Sequence, residues 1–315
     1  AKQLGPYTLE QKLGAGGMGV VYQARHALLR RNTAIKLLPS GVADELRFKR
    51  FEREVQLTSE LSHPNIVAIY DYGRSPEGEF YYAMEHLPGV DLETLVEQQG
   101  PLEAARAVPI LRQVADALDA AHFRGLIHRD IKPANVILSR FGRRTDVVKV
   151  LDFGLVKEVD ESSSLTMEKS ICGTPAYLAP EALTAPDEVG VSTDIYALGA
   201  LGFFLVTGTT VFPGRTVAEV CGHHIHTPAP APSSATEIEV PPDLDAFVLR
   251  CLAKKPVDRF PSAAAVRDAL ESIASPTTWD PDRAREWWDE YEIRRSKAPP
   301  ATPVSRDTMT IAPRA

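Results

Sequence analysis

The chain has 315 residues, enough for about two folding units or one large bilobal one. Apolar residues make up 44% and charged residues 24%, the balance of a globular protein, which excludes wholesale disorder. The formal charge of −7 argues against a general nucleic-acid binder, so no nucleic-acid partner is expected.

The first 85 residues read mostly as strands. Residues 7–13 and 20–25 flank a glycine-rich turn, and residues 33–38 are short and apolar. Residues 67–72 and 79–84 follow, joined by a turn at Ser75-Pro76-Glu77-Gly78. Charged residues interleaved with Leu46, Phe51, Val55 and Leu61 give residues 42–61 a helical pattern, stopped at His63-Pro64. After Leu87-Pro88-Gly89 the character turns helical. Residues 103–124 place Val108, Leu111, Val114, Leu118 and Ala121 on one face. Residues 192–207 are apolar nearly all round, hence buried, and 244–252 and 262–273 are amphipathic. Five prolines within residues 228–242 mark an irregular surface loop. From Pro276 onward Pro, Thr, Ser and Arg dominate. There Asp280-Pro281 opens a helix whose Trp287, Trp288 and Tyr291 should pack on the larger lobe. The last eighteen residues read as disordered. The expected division is 1–87, 88–275 and a tail, 276–315.

Cys172, Cys221 and Cys251 form no C-x-x-C pair and no zinc spacing, which favours a reducing compartment. The longest apolar run, residues 195–206, is too short to span a bilayer. A cytoplasmic location is expected, for this chain or as the cytosolic part of a longer one.

Four stretches carry chemistry. Gly14-Ala15-Gly16-Gly17-Met18-Gly19 has G-x-G-x-x-G spacing between two strands, where backbone N–H groups can approach phosphate oxygens. A strand rather than a helix follows Gly19, which argues against a dinucleotide fold. Lys36 ends an apolar strand, and Glu54 on the next helix can reach back to hold its charge toward anionic phosphates. In His128-Arg129-Asp130-Ile131-Lys132-Pro133-Ala134-Asn135, Asp130 can orient a substrate hydroxyl and Lys132 can neutralise a transferring phosphoryl group. Asn135 offers a carbonyl oxygen to a hard cation. Asp152-Phe153-Gly154 places a carboxylate at a strand end, suited to Mg²⁺, with Mn²⁺ as an alternative.

Together with Ala179-Pro180-Glu181, these motifs stand in the order and spacing of eukaryotic-type (Hanks-type) protein kinases. The chain resembles the bacterial Ser/Thr members over residues 7–275. The resemblance implies an α+β, bilobal fold: a small β-rich lobe with one regulatory helix and a larger, mostly helical lobe. It implies ATP as cofactor, held by Gly14, Gly16, Gly17, Gly19, Lys36, Glu54 and Asp152. Leu13, Val21, Ala34 and Leu138 would contact adenine, Met84 would guard the pocket behind it, and Glu85 and Leu87 would lie in the hinge. Asp91 would contact the ribose. Asp130, Lys132, Lys36 and Asn135 would be catalytic, and Asn135 and Asp152 would hold the metal.

By the same resemblance, Lys132 and Thr174 mark the Ser/Thr class. Asp194 should hold the catalytic loop, and Glu181 and Arg259 should form a buried ion pair. Arg129 beside the catalytic Asp implies phosphorylation in the segment 152–181, at Thr166 or Ser170. Ala134 replaces the Glu of basophilic relatives, so no preference for upstream Arg is implied. Protein substrates bearing Ser/Thr are the implied partners, with a homodimer serving trans-autophosphorylation. In the tail, Ile311 lies three residues after Thr308, a pattern that resembles a target of phosphothreonine-reading forkhead-associated domains. Two rivals are a pseudokinase scaffold and a small-molecule phosphotransferase. Against them stand the full set Lys36, Asp130, Asn135 and Asp152, and the Ala-Pro-Glu, Thr174 and Arg259 positions.

Overall fold

The computed structural model describes residues 2–16, 19–38, 52–53, 55–75, 78–153, 175–275 and 277–297. Glu54, Gly17, Thr166, Ser170, Thr174 and Thr308 lie outside the described residues.

Six antiparallel strands build the smaller lobe: β1 (Gln3–Leu4), β2 (Tyr7–Gly16), β3 (Gly19–His26), β4 (Asn32–Leu37), β5 (Ile69–Arg74) and β6 (Phe80–Glu85). Their order in the sheet is β1-β2-β3-β4-β6-β5. The sheet is covered on both faces, and the period-2 alternation of side chains sorts the core. Leu4, Tyr7, Leu9, Ala24, Ile35, Leu37, Tyr81 and Ala83 pack on one side. Ala34, Leu38, Val67, Phe80, Tyr82 and Met84 pack on the other, with Val55 from a helical stretch at residues 55–59. The alternation along β4 therefore places Lys36 on the Ala34 face.

Residues 86–88 leave the ladder and lead into β7 (Gly89–Asp91), α1 (Leu92–Gln99) and α2 (Ala104–Phe123). β7 joins β8 (Val136–Phe141) and β9 (Arg144–Val150) in a small antiparallel sheet, order β7-β8-β9. Then come α3 (Pro180–Thr184), α4 (Val191–Thr207), α5 (Val217–His226), α6 (Pro242–Cys251), α7 (Ala263–Glu271) and α8 (Pro281–Lys297). α4 is buried from Thr193 to Thr207, as its unbroken apolar sequence predicts. One continuous core fills this lobe, from Leu92 in α1 to Trp288 in α8. Among the described residues, no helix is long and apolar enough to cross a membrane.

The lobes are tied together away from residues 86–88 as well. The Val67 N–H donates to the Val150 carbonyl (3.0 Å) and the Val150 N–H to the Asn65 carbonyl (2.8 Å). The Lys149 ammonium lies 2.8 Å from Glu85 Oε2. These links tie the end of β9, and with it the segment leading to Asp152, to the smaller lobe.

Candidate active site

Lys36 is 5% exposed, so it is a buried group of the sheet interior rather than a solvated strand end. Its ammonium contacts Asp152 Oδ2 at 2.6 Å. The partner expected for it, Glu54, lies outside the described residues. Asp152 sits in left-handed backbone, φ +54°, a conformation that costs a non-glycine residue about 1–3 kcal/mol. Its other oxygen, Oδ1, accepts a hydrogen bond from the Tyr82 hydroxyl at 2.5 Å. Burial works to raise the Asp152 carboxyl, but the Lys36 ammonium and the Lys36 and Tyr82 hydrogen bonds outweigh it and hold the group below the ordinary carboxylate range. Burial, reinforced by Asp152, pushes the Tyr82 phenol well above its usual range, so it stays a donor.

Asp130 is 9% exposed and Asn135 8%. Asn135 Nδ2 donates to the Asp130 carbonyl (2.8 Å) and to Asp130 Oδ2 (2.9 Å). That orientation leaves the amide oxygen of Asn135 as its end for a cation. Lys132 Nζ lies 3.0 Å from Asp130 Oδ2. The Asn135 carbonyl accepts from the Leu151 N–H at 2.9 Å, which brings this loop against the residue preceding Asp152.

A buried histidine locks the two segments together. His128 Nε2 contacts the Leu151 carbonyl at 2.8 Å, and its Nδ1 accepts from the Asp130 N–H at 3.2 Å. That pairing requires the neutral, Nε2-protonated tautomer. Burial lowers the His128 pKa, against the opposing pull of Asp194 and Asp130. Phe153 packs on its ring, with centroids 4.5 Å apart. The Asp194 carboxylate accepts the backbone N–H groups of His128 and Arg129, both at 2.8 Å. It holds the loop although Arg129 sits at φ +64°. Glu181 and Arg259 meet at 2.7 and 2.8 Å, with side chains 4% and 0% exposed. Both expectations for these holding contacts are met.

The glycine loop pairs Gly14 with Val21 and Gly16 with Gly19. Gly19 has φ +120°, and a Cβ there would sit 2.1 Å from the Leu37 carbonyl oxygen, so only glycine fits. At Gly14 a Cβ would meet nothing within 4 Å. Packing does not require glycine there, and the space above the strand is open to a ligand. Val21, Ala34, Met84 and Leu87 share one apolar cluster. Leu138 is fully buried in the lower core, and Leu13 is 45% exposed on β2. Glu85 spends its carboxylate on Lys149. Asp91 caps α1: its two oxygens accept from the Thr94 N–H (2.9 Å) and hydroxyl (3.0 Å), a capping task the sequence reading did not assign.

Among the described residues, no cluster of three or more His, Cys, Asp or Glu could hold a metal alone. The carboxylate of Asp152 and the amide oxygen of Asn135 instead suit Mg²⁺ or Mn²⁺, which takes few protein ligands and completes its shell with water and phosphate oxygens. The open face at Gly14 fits the phosphates themselves. The residues therefore suit a nucleotide with its cation. Sequence reasoning missed Tyr82. The sequence carried no signal that set it apart, since the neighbouring Tyr81 offers the same hydroxyl on the same buried strand.

A family model described as the protein kinase domain matches residues 7–270. The serine/threonine-protein kinase PknD of Mycobacterium tuberculosis is 40% identical over 273 residues, 85% of this chain and 40% of that protein. PknB of Mycolicibacterium smegmatis is 37% identical over 310 residues, 97% of this chain and 48% of that protein. The chain thus spans less than half the length of either relative. A crystal structure of the Mycobacterium tuberculosis PknI kinase domain superposes with a TM-score of 0.66 at 29% identity, covering 87% of this chain and 98% of that one. The α+β, bilobal architecture is that of these kinases. The chain belongs to the protein kinase domain family, among relatives of the bacterial Ser/Thr type.

Proposed function

We propose that this chain is the catalytic unit of a protein serine/threonine kinase, moving the γ-phosphoryl group of ATP to Ser and Thr hydroxyls of proteins, itself included. The observation that carries this reading is the convergence of two contact groups, Lys36 with Asp152 and Asn135 with Asp130 and Lys132, joined through the Leu151 N–H on the Asn135 carbonyl, from positions up to 116 residues apart. Asp130 would accept the hydrogen bond of the incoming hydroxyl and align it for in-line attack. Lys132, already on Asp130, would stand beside the transferring group. Lys36 would turn its charge to the phosphates, joined by Glu54, while Asp152 and Asn135 hold Mg²⁺ or Mn²⁺. That cation, when bound, neutralises charge on the phosphoryl oxygens. Val21, Ala34, Met84, Leu87, Leu138 and Leu13 would enclose the adenine, with Glu85 in the hinge and Asp91 at the ribose.

Regulation by phosphorylation at Thr166 or Ser170, trans-autophosphorylation in a homodimer, and reading of phosphorylated Thr308 by a forkhead-associated domain belong to the same proposal. So does a cytoplasmic place of action, where ATP is held. The test is incubation with labelled ATP and Mg²⁺, wild type beside Asp130→Asn, followed by phosphosite mapping. Incorporation on Ser or Thr at about 1–100 per second for a good substrate, with near-complete loss in the variant, is expected. A wild type that binds ATP but transfers nothing would favour the scaffold reading instead.

A further inference from the structure

Tyr82 sits where a phenylalanine would fill the same space. It is 1% exposed, among Ala34, Leu38, Val55, Val67, Phe80 and Met84. A hydroxyl left unpaired in such surroundings costs about 1–3 kcal/mol, so its presence calls for a partner. The partner is Asp152 Oδ1, at 2.5 Å. The sheet register makes the arrangement specific. Tyr82 on β6 lies directly opposite Lys36 on β4, so both side chains leave the sheet on the same face. Two facing strand positions thus hold the two oxygens of one carboxylate, the ammonium on Oδ2 and the phenol on Oδ1.

Their roles differ. Lys36 carries the charge that phosphates would compete for, so its grip on Asp152 is exchangeable. The phenol is neutral and fully buried, and no phosphate would draw it away. A carboxylate oxygen has two lone pairs, so one hydrogen bond from Tyr82 leaves Asp152 able to bind a cation while its rotamer is fixed.

We propose that Tyr82 is a positioning residue of the divalent-cation site, fixing the orientation in which Asp152 meets the metal. This rests on the kinase reading, in which Asp152 is a metal ligand. Outer partners of metal-binding carboxylates typically contribute about 10–100-fold to metal affinity.

The test is Tyr82→Phe, which keeps the ring and removes only the hydroxyl. Mn²⁺ binding is followed by electron paramagnetic resonance in the presence of the non-hydrolysable analogue AMP-PNP. Asp152→Asn runs alongside, and thermal unfolding of each variant verifies folding. The expected result is Mn²⁺ affinity about tenfold or more weaker in Tyr82→Phe, with AMP-PNP affinity in the absence of metal unchanged. The concentration of Mg²⁺ giving half-maximal transfer rises in step, while kcat at saturating Mg²⁺ stays near wild type. Unchanged or tighter Mn²⁺ binding in folded Tyr82→Phe, with binding lost in Asp152→Asn, overturns the role of Tyr82 and leaves the kinase reading standing. Full Mn²⁺ binding in Asp152→Asn overturns both.

Discussion

His128 and His224 are fully buried, and burial lowers the pKa of each below the ordinary imidazole range. For His224 the value falls to about 4, with Lys254 adding to the effect. Its Nδ1 lies 2.8 Å from the Tyr196 hydroxyl, beneath the segment that precedes α3. A histidine with a depressed native pKa binds fewer protons folded than unfolded. Stability is therefore complete above about pH 6.5 and declines as pH falls toward the native value. For His224 that decline amounts to about 3 kcal/mol at full protonation. His224→Asn, whose amide oxygen can replace Nδ1, should flatten the fall of the thermal midpoint between about pH 6.5 and 4.5. An unaltered slope would show that His224 does not set it. At this scale the chemistry-bearing residues were legible because their types and spacings leave few alternatives. Tyr82 was not, because a tyrosine in a strand looks like core until its hydroxyl is seen on Asp152.

Among the elements, the short α3 is held by an ion pair rather than by its own length. Glu181 in its first turn meets Arg259, whose guanidinium also donates to the carbonyls of Ala253, Ser192 and Lys254. The Thr193 hydroxyl donates to Glu181 Oε1 at 3.0 Å. Removing the cation strands a buried carboxylate, so Arg259→Ala should cost about 3–5 kcal/mol in urea unfolding. Glu181→Leu combined with Arg259→Met should lose less than the sum of the two single changes. A cost under about 1 kcal/mol for Arg259→Ala would show the pair to be dispensable. The long elements followed their apolar patterns, a one-faced stripe in the first and an all-round apolar run in the second: residues 103–124 became Ala104–Phe123, and 192–207 became Val191–Thr207. α1, α5, β7 and β8 went unread. α1 and α5 have eight and ten residues, lengths at which a helix depends on tertiary packing for its stability. The three residues of β7 are a strand only because β8, over forty residues later, pairs with them.

At the scale of the whole molecule, α8 lies beyond the matched region of residues 7–270 and still completes the core. Trp288 is 1% exposed and donates its indole N–H to Asp146 Oδ1 at 2.8 Å. Trp279 donates to Oδ2 of the same carboxylate, and Arg106 grips both oxygens at 2.9 Å. Arg106 also lies over the rings of Trp279 and Trp287, 4.4 and 4.0 Å from their centroids. Arg283 pairs with Glu103 at 2.6 Å. The far end of the helix comes beside residues 86–88 between the lobes, where burial and then Arg295 lower the pKa of His86. The chain from Trp279 to Arg295 thus runs from the back of the larger lobe to its junction with the smaller. Trp288→Ala should destabilise by about 3–5 kcal/mol, and Trp288→Phe by about 1.5–3 kcal/mol through the lost indole hydrogen bond to the Asp146 carboxylate, whose Oδ1 keeps its bond from Arg106. Each kcal/mol should lower the thermal midpoint by about 2–4 °C. A Trp288→Ala midpoint equal to wild type would mean that the helix docks without contributing.

By itself the sequence determined the inventory: a G-x-G-x-x-G loop between strands, the acids, amide and lysines of the candidate site, and apolar segments of helix length. These are local properties, set by residue type and spacing. Only the tertiary structure decided which groups meet. It brought Lys36 to Asp152 across 116 positions, set Tyr82 behind that carboxylate, turned Asp91 into a helix cap, and closed three tryptophans around Arg106 and Asp146. Such encounters depend on sheet register and on where distant strand ends arrive, and no local pattern encodes either.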